Sequence, residues 1–258
     1  MAFRSANLQR FTRFNSSVSC DLIDKYDTFL DLQAQAESDK PSARAFAPSS
    51  IRCERKSWFR LRGTEPDTLP KYDTTLNFKA KLGTACHRIV QSDFQSMLAD
   101  DWISVKDYLD LYPISLDYTL TAASDSLETF VSISNPPVRF ACDGIVKLNN
   151  QYYLLEIKTC DYDVYMDLTD PKSVHIDQVK AYCTLLGLTN VLFVYVDRQY
   201  GGIKCFEYIV SDVDKRNIMT MFQNVQDMAI AGIAPNRLDW ADYECTNCKY
   251  KLKCKQWG

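Results

Sequence analysis

The stretch VRFACDGIVKLNNQYYLLEIK, which runs from Val138 to Lys158, decides the fold that we expect for this chain. Residues 138–148 and 152–159 are two runs rich in apolar, β-branched and aromatic side chains, and such runs predict strands. Only Asn149-Asn150-Gln151 separates them. A linker of this length and composition is typical of a tight hairpin, so we predict two adjacent antiparallel strands.

Three charged side chains fall at one end of this hairpin. Asp143 and Glu156 converge there if the two strands pair around the turn. Side chains alternate between faces along a strand, so Lys158 lies on the same face as Glu156. Apolar Leu155 and Ile157 flank Glu156, and this pattern predicts a central strand. A charged side chain is costly to bury in a central strand, so its presence there indicates a function. Two carboxylates beside an ammonium group can hold a divalent metal and activate a water molecule to attack a phosphodiester. The alternative is that these charged side chains lie on the solvated face of an ordinary hairpin.

The segments around the hairpin predict a mixed α/β protein. Residues 190–196 form a short apolar run that is consistent with a strand buried on both faces. Ser211 or Asp212 is the expected N-cap of the last long helix. Helices are predicted over residues 20–37, 48–63, 78–99, 174–186 and 211–231, and further strands over 128–134 and 203–210. This order of elements indicates a mixed central sheet flanked by helices.

The composition is that of a globular protein. Hydrophobic residues make up 46% of the 258 residues and charged residues 24%, so a sizeable core is expected. The formal net charge of −3 argues against a chain that coats nucleic acid indiscriminately. No apolar run approaches the ~18 residues that span a bilayer, and the N-terminus has no apolar signal segment. We therefore expect a cytoplasmic protein without a membrane partner.

Ten cysteines are many for such a chain. Intracellular thiols stay reduced, so a cysteine cluster there predicts a metal site rather than a disulfide framework. Cys245, Cys248 and Cys254 lie close together in sequence, and a zinc ion or a cubane iron–sulfur cluster needs a fourth ligand. Cys53 is the best fourth ligand, because three neighbouring cations should lower the pKa of its thiol: Arg52, Arg55 and Lys56. Spacing alone does not separate zinc from iron–sulfur.

The other six cysteines carry no assigned chemistry. A free cysteine behaves as a small hydrophobic residue, so all six are predicted to be buried. They are Cys20, Cys86, Cys142, Cys160, Cys183 and Cys205.

Two predicted helices carry further polar candidates. His87 lies four residues after Gly83, and a helical histidine is more often a core or surface residue than a ligand. As a ligand, its nitrogen would bias a carboxylate site toward Mn²⁺ or another transition metal. Gln178 and Tyr182 are four residues apart and so share one helix face, from which they could orient a phosphate or a base. The alternative for this pair is an ordinary amphipathic helix.

Taken in order, these motifs resemble the RecB-type branch of the PD-(D/E)XK nucleases. The order is Gly83-x3-His87-x3-Gln91, then Asp143, then Glu156-x-Lys158, then Gln178-x3-Tyr182. Two cysteine motifs are similar to the iron–sulfur members of that branch: Cys53 before a basic-aromatic run, and Cys245-x2-Cys248-x5-Cys254. Those members are the CRISPR-associated exonuclease family, the AddB nuclease domain and related viral enzymes. The resemblance covers roughly residues 48–256.

The resemblance implies a restriction-endonuclease-like core with a C-terminal cysteine cluster. Residues 48–258 would form the nuclease domain and residues 1–47 an N-terminal helical extension. Four groups would bind Mg²⁺ or Mn²⁺: the side chains of His87, Asp143 and Glu156 and the carbonyl of Ile157. Lys158 would position the attacking water, while Gln178 and Tyr182 would hold the DNA backbone. A structural 4Fe–4S cluster, with zinc as the competing possibility, would be bound by Cys53, Cys245, Cys248 and Cys254.

The function that the resemblance implies is a metal-dependent DNA exonuclease. Single-stranded ends are the expected substrate, and Trp58, Phe59 and Tyr250 could stack bases. Recombination, repair or CRISPR spacer processing in a bacterium or its virus is the expected context, with proteins of those processes as partners. No Gly-x4-Gly-Lys-Ser/Thr motif occurs, which favours a free-standing nuclease over the end of a motor. The alternatives are a catalytically silent nucleic-acid-binding or assembly protein on the same fold, and a zinc-stabilised nuclease.

Overall fold

The computed structural model describes residues 17–38, 43–67, 74–122, 128–239, 241–246 and 248–257. The described chain forms two compact units. One contains helix α1, Ser17–Ser38, and the residues of a later helix as far as Leu82; the other contains the described residues between 43 and 67 and from Gly83 onward. The predicted domain boundary between residues 47 and 48 stays a prediction, and residues 1–16 and 39–42 of the predicted extension lie outside the described residues.

The first unit confirms the helix predicted over residues 20–37. Within α1, Leu30 is buried, whereas Leu22 and Leu32 are 70% and 64% exposed. The side chain of Lys81 donates a hydrogen bond of 2.5 Å to Oε1 of Gln33.

The remaining helices and the strands are as follows. The helices are α2 Glu54–Leu61, α3 Thr74–Leu98, α4 Val105–Leu111, α5 Tyr162–Asp167, α6 Ser173–Leu186, α7 Asp212–Ala231, α8 Tyr243–Thr246 and α9 Lys251–Gln256, with 3₁₀ turns at Pro48–Ser50 and Ala99–Asp101. The strands are β1 Trp102–Ile103, β2 Tyr118–Ala122, β3 Thr129–Ile133, β4 Val138–Ala141, β5 Gly144–Leu148, β6 Gln151–Cys160, β7 Asn190–Asp197 and β8 Ile203–Ile209.

A five-stranded sheet in the order β1–β5–β6–β7–β8 is the centre of the second unit. Strands β6 and β7 run parallel, and the other neighbours are antiparallel, so the sheet is mixed. A parallel pair needs a crossover connection, which α5 and α6 provide. Strands β2, β3 and β4 form a separate three-stranded antiparallel sheet.

The predicted hairpin is confirmed as the β5–β6 pair. Leu148 pairs with Gln151, and Asn149 and Asn150 have φ angles of +50° and +61°. Two consecutive left-handed residues are what a type I′ turn requires, and asparagine tolerates that conformation better than most residues. The turn therefore fixes the register that brings Asp143, the residue before Gly144, opposite Glu156.

The prediction of one strand over residues 138–148 is wrong, because the chain leaves the ladder at Cys142 and Asp143. Strand β4 pairs with β3 and β5 pairs with β6, so the run contributes to both sheets. The backbone of Phe46 holds β4 from its other side, accepting a hydrogen bond of 3.0 Å from the Arg139 amide. Asp143 thus lies at a break between sheets and not in the middle of a strand.

Helices cover both faces of the central sheet. Val90 and Phe94 of α3 pack against Leu155 and neighbouring apolar residues of the sheet on one face. On the other face, α6 and α7 join Leu154 and the β7 residues in the main core. Each fully buried side chain of this size contributes about 1.5–3 kcal/mol through apolar burial. The predicted mixed α/β core, with a central sheet flanked by helices, is confirmed.

Among the helices that the described residues form, none has the length and apolar character needed to cross a membrane.

Candidate active site

Asp143 is held at the break between β4 and β5 by three neighbours. The backbone amide of Ile157 donates a hydrogen bond of 2.6 Å to Oδ2 of Asp143. Nε2 of His87 lies 3.1 Å from the same oxygen. The side-chain amide of Gln91, which is 1% exposed, donates to the Asp143 carbonyl at 2.5 Å. These contacts fix both the backbone and the carboxylate of Asp143.

Helix α3 can approach β6 closely because of Gly83. A Cβ atom at this position would lie 3.2 Å from Oγ1 of Thr159 and 3.4 Å from Nη1 of Arg198. His87 follows one turn later and faces Asp143. Burial disfavours the charged imidazole of His87, but the hydrogen bond and the charge of Asp143 outweigh it and raise the pKa of His87.

Glu156 and Lys158 form a buried ion pair on one face of β6, as predicted from the alternation of side chains. Glu156 is 1% exposed, and its Oε1 lies 2.5 Å from Nζ of Lys158. Its Oε2 has no hydrogen-bond donor in the part of the chain that the structure describes. Burial and then the charge of Asp143 raise the pKa of Glu156 to about 7. An under-satisfied buried carboxylate costs free energy, which favours a functional reason for its position.

A chain of hydrogen bonds runs from Lys158 to α6. Nζ of Lys158 donates to Oε1 of Gln178 at 3.1 Å, and Nε2 of Gln178 donates to the Tyr182 hydroxyl at 2.7 Å. Tyr182 is buried and stacks on Phe140 with ring centroids 5.1 Å apart. Burial opposes the charge on Lys158, but Glu156 and Asp143 outweigh it and raise its pKa. Lys158 therefore stays an ammonium ion at neutral pH, oriented by Gln178.

Glu128 belongs to this site, although the sequence analysis did not identify it. His87, Glu128 and Asp143 each offer a ligand atom, and these atoms lie within 4.8 Å of one another. Burial and then the charge of Asp143 raise the pKa of Glu128. In the sequence, Glu128 is only an acidic residue at the start of a predicted strand, with no spacing that relates it to His87 or Asp143. Its proximity to them follows from the tertiary fold alone.

The four predicted cofactor cysteines line a single small cavity: Cys53, Cys245, Cys248 and Cys254. Nη1 of Arg55 donates to Sγ of Cys254 at 3.9 Å, and Nε of Arg55 donates to the Pro235 carbonyl at 2.6 Å. Two ion pairs also join this segment to the C-terminal residues, Arg52 with Asp242 at 3.1 Å and Lys56 with Glu244 at 2.9 Å. Residues distant in sequence thus meet around the cysteines, as predicted.

The prediction that neighbouring cations lower the pKa of the Cys53 thiol is wrong. Burial raises the pKa of the Cys53 thiol, and the three other cysteines act in the same direction. A hydrogen bond involving the backbone of Lys56 lowers the pKa of Cys53 but does not offset these effects.

Two further predictions need correction. Trp58, Phe59 and Tyr250 cannot stack on bases in this structure, because each is at most 1% exposed. They pack on one another instead, with Phe59 stacked on Tyr250 at a centroid distance of 5.1 Å. Of the six cysteines predicted to be buried, Cys142, Cys160 and Cys183 are buried, Cys86 is half-buried and Cys205 is exposed; the side chain of Cys20 lies outside the described residues.

His175 lies near the site on α6. Its Nδ1 lies 2.7 Å from the Tyr195 hydroxyl. Burial, followed by the charges of Lys158 and Lys172, lowers the pKa of His175 to about 3. The imidazole is therefore neutral throughout the physiological pH range.

No family model and no curated protein matches this sequence. Among solved structures, the crystal structure of SSO0001 is similar, with a TM-score of 0.51 and 16% identity, covering 92% of this chain and 98% of that one. An alkaline exonuclease (LHK-Exo) from Laribacter hongkongensis aligns with a TM-score of 0.39 and 14% identity, covering 76% and 93%. LHK-Exo in complex with dAMP aligns with a TM-score of 0.39 and 14% identity, covering 74% of this chain and 90% of that one. The first likeness supports the fold, and no activity follows from likenesses this distant.

Proposed function

We propose that this chain is a metal-dependent DNA exonuclease that hydrolyses phosphodiester bonds. The observation that carries the proposal is the Glu156 carboxylate, which is 1% exposed, pairs with Lys158 and has an oxygen without a donor among the described residues. Such an oxygen is suited to a cation that is bound during function. Asp143 is hydrogen-bonded to the residue between Glu156 and Lys158, so the three charged groups form one arrangement.

The donor set fits a divalent metal ion. Carboxylates of Glu128 and Asp143 would provide oxygen ligands, and His87 would provide one nitrogen, which favours Mn²⁺ alongside Mg²⁺. Glu156 stays a predicted further ligand. The Ile157 carbonyl stays a predicted ligand. When bound, the ion would lower the pKa of a water molecule and polarise the scissile phosphate.

The other residues of the site hold groups in place. Lys158, kept charged by Glu156 and Asp143, would position the attacking water and stabilise the charge that develops on the phosphate. Gln178 fixes the Lys158 ammonium, and Tyr182 fixes Gln178. Because Tyr182 is buried and stacked on Phe140, this support is rigid. A direct contact of Gln178 and Tyr182 with the DNA backbone stays a prediction.

We further propose that Cys53, Cys245, Cys248 and Cys254 hold one structural 4Fe–4S cluster. Four thiols on one cavity match the ligand number of a cubane cluster, and the Arg55 guanidinium, which donates to Cys254 Sγ, would favour the thiolate. Zinc has the same ligand number and is the competing cofactor. The cluster would close a nuclease domain over residues 48–258, with residues 1–47 as a helical extension.

Single-stranded ends are the proposed substrate, because a ring-like site clamped by a cluster suits a threaded strand in a nuclease of the family that the sequence resembles. The same resemblance supports a role in recombination, repair or CRISPR spacer processing, with proteins of those processes as partners, in the cytoplasm of a bacterial or virus-infected cell.

End-labelled DNA tests the proposed activity. We expect stepwise shortening of a single-stranded oligonucleotide with Mn²⁺ or Mg²⁺, no cleavage in EDTA, and none by Asp143→Ala. Asp110→Ala, which removes a surface carboxylate paired with Lys106, is the matched control and should cleave normally. Full activity of Asp143→Ala would refute the proposal. Binding of the oligonucleotide without any cleavage by the wild-type protein would favour the catalytically silent alternative.

Metal analysis tests the cluster separately. Protein purified under anaerobic conditions should contain about four iron and four sulfide ions per chain and absorb visible light. Zinc in place of iron would leave the ligand assignment intact and overturn the cluster.

A further inference from the structure

Another cavity adjoins the cysteine-lined one, with which it shares Lys56 and Tyr250. It has a volume of about 260 Å³. Its lining consists of three cationic and three hydroxyl-bearing side chains: Lys56, Arg60, Lys249, Ser50, Ser57 and Tyr250. Since a water molecule occupies about 30 Å³ in the liquid, the cavity has room for a group much larger than one water. No carboxylate lines it.

Three polar atoms in the lining lack a hydrogen-bond partner among the described residues. They are Oγ of Ser57, Nε of Arg60 and the Tyr250 hydroxyl. Ser57 is 2% exposed and Tyr250 1% exposed, so neither group is solvated from outside. Buried donors without acceptors are rare in folded proteins, because each loses its hydrogen bonds to water without replacement. All three atoms belong to residues that line this cavity.

The charges around the cavity favour a negatively charged group. Lys249 is half-buried, and its burial, followed by Arg60 and Lys56, lowers its pKa, with Glu65 acting in the opposite direction but more weakly. Lys56 pairs with Glu244 at 2.9 Å, and no ion pair joins Arg60 or Lys249 to a carboxylate within the described residues. A bound anion would reduce the repulsion between these like charges.

We propose that this cavity binds a phosphate group of a nucleic-acid strand. A phosphate offers several acceptor oxygens and negative charge, which guanidinium, ammonium and hydroxyl donors recognise together. The choice of nucleic acid as its source rests on the proposed function. The binding itself does not require cleavage, so it is testable whether or not the chain is a nuclease.

Binding measured in EDTA tests this. A fluorescent single-stranded oligonucleotide is titrated with wild type, Arg60→Gln and Lys249→Gln over a series of salt concentrations. Removing one phosphate contact should lower the salt slope by about 0.7, which near 0.1 M salt is roughly a fivefold loss of affinity. Lys106→Gln removes an exposed lysine on α4 and should leave both quantities unchanged. Unchanged affinity and slope in both cavity variants would overturn the assignment to a strand.

A second arm distinguishes the source of the phosphate. Thermal unfolding is followed with inorganic phosphate and with pyrophosphate. If these anions stabilise wild type but not Arg60→Gln, while oligonucleotide binding is unaffected, the cavity binds a free phosphate and the strand assignment falls. If neither anion nor oligonucleotide distinguishes the variants from wild type, the whole proposal is wrong.

Folding and cofactor content are controlled in the same samples. Ser57→Ala removes a donor and no charge, so it should weaken oligonucleotide binding while keeping the wild-type salt slope. A variant that lost iron or melted far below wild type would be replaced by Ser57→Ala, whose unchanged affinity would also count against the site.

Discussion

The backbone amide of Ile157 donates a hydrogen bond of 2.6 Å to Oδ2 of Asp143. This bond joins the break between β4 and β5 to the residue between Glu156 and Lys158. Both partners are constrained, because Ile157 is in the ladder with β7 and the Asp143 carbonyl accepts from Gln91. The charged groups of the site are therefore placed by the backbone of the sheet rather than by flexible side chains.

Replacing Lys158 by methionine should slow cleavage strongly and spare metal binding. The substitution removes the ammonium that would stabilise charge on the phosphate, and losing one such donor typically lowers the rate about 10²–10³-fold. Single-turnover cleavage measures the rate, and Mn²⁺ titration measures the affinity. Lys180→Met is the matched control, because Lys180 forms an ion pair of 2.7 Å with Asp214 and should tolerate the change. Equal losses in both variants would contradict a special role for Lys158.

Glu128→Gln should weaken Mn²⁺ binding while leaving the fold intact. The carboxylate lies within 4.8 Å of the ligand atoms of His87 and Asp143, and the amide lacks the negative charge that a divalent ion prefers. We expect at least a tenfold increase in the Mn²⁺ dissociation constant, measured by calorimetry. Glu207→Gln, at an exposed position of β8, should bind like wild type. Wild-type affinity in Glu128→Gln would remove Glu128 from the metal site.

Cys53→Ser should lose the cofactor and lower the melting temperature. A serine oxygen is a poor ligand for iron, so the loss of one of the four cysteine ligands should release the proposed cluster. Iron and sulfide analysis of anaerobically purified protein measures the loss. Cys205→Ser is the control, because Cys205 is an exposed free cysteine and should keep full cofactor content. Undiminished iron in Cys53→Ser would mean that the fourth ligand lies elsewhere.

His175 should make the protein less stable as the pH falls. Its folded pKa of about 3 lies below the unfolded value of about 6.5, so the unfolded chain binds the proton first. The wild type should lose up to about 2 kcal/mol of unfolding free energy from this group between pH 6.5 and pH 5. Urea unfolding of wild type and His175→Asn measures the difference, in which the other titrating groups cancel. Parallel pH profiles for the two proteins would contradict the shift.

Gly144→Ala should destabilise the start of β5. A Cβ atom there would lie 2.5 Å from Cη2 of Trp102, which is closer than real contacts allow. Forcing the indole aside should lower the free energy of unfolding by about 1–3 kcal/mol. Combining the change with Trp102→Leu should recover part of the loss, and a double-mutant cycle by urea unfolding measures the recovery. Additive losses would show that the clash is not the cause.

Local chemistry explains what could be predicted from sequence. Two asparagines between apolar runs identify a hairpin turn, and the alternation of side chains places Glu156 with Lys158. Ser211 was predictable as an N-cap, and in the structure its hydroxyl accepts from the Asp214 amide at 3.1 Å while Asp214 caps it in return. Each of these features depends on residues only a few positions apart.

Long-range packing explains what could not be predicted. The split between β4 and β5 depends on Gln91 and Phe46, which are remote from residues 138–148 in sequence. Glu128 reaches the site only because two separate sheets place it beside Asp143. The burial of Phe59 requires Tyr250 to stack on it, and nothing in the segment around Phe59 indicates that partner.

The hydrogen bond between Arg55 and Cys254 spans 199 residues of chain, and this distance sets an order of events during synthesis. At roughly 5–20 residues per second, about 10–40 s pass between the translation of the two residues. Throughout this interval the segment around Cys53 has no access to Cys245, Cys248 or Cys254. Any cofactor held by all four cysteines is therefore acquired only after the last of them has left the ribosome, whereas the β5–β6 hairpin can form much earlier.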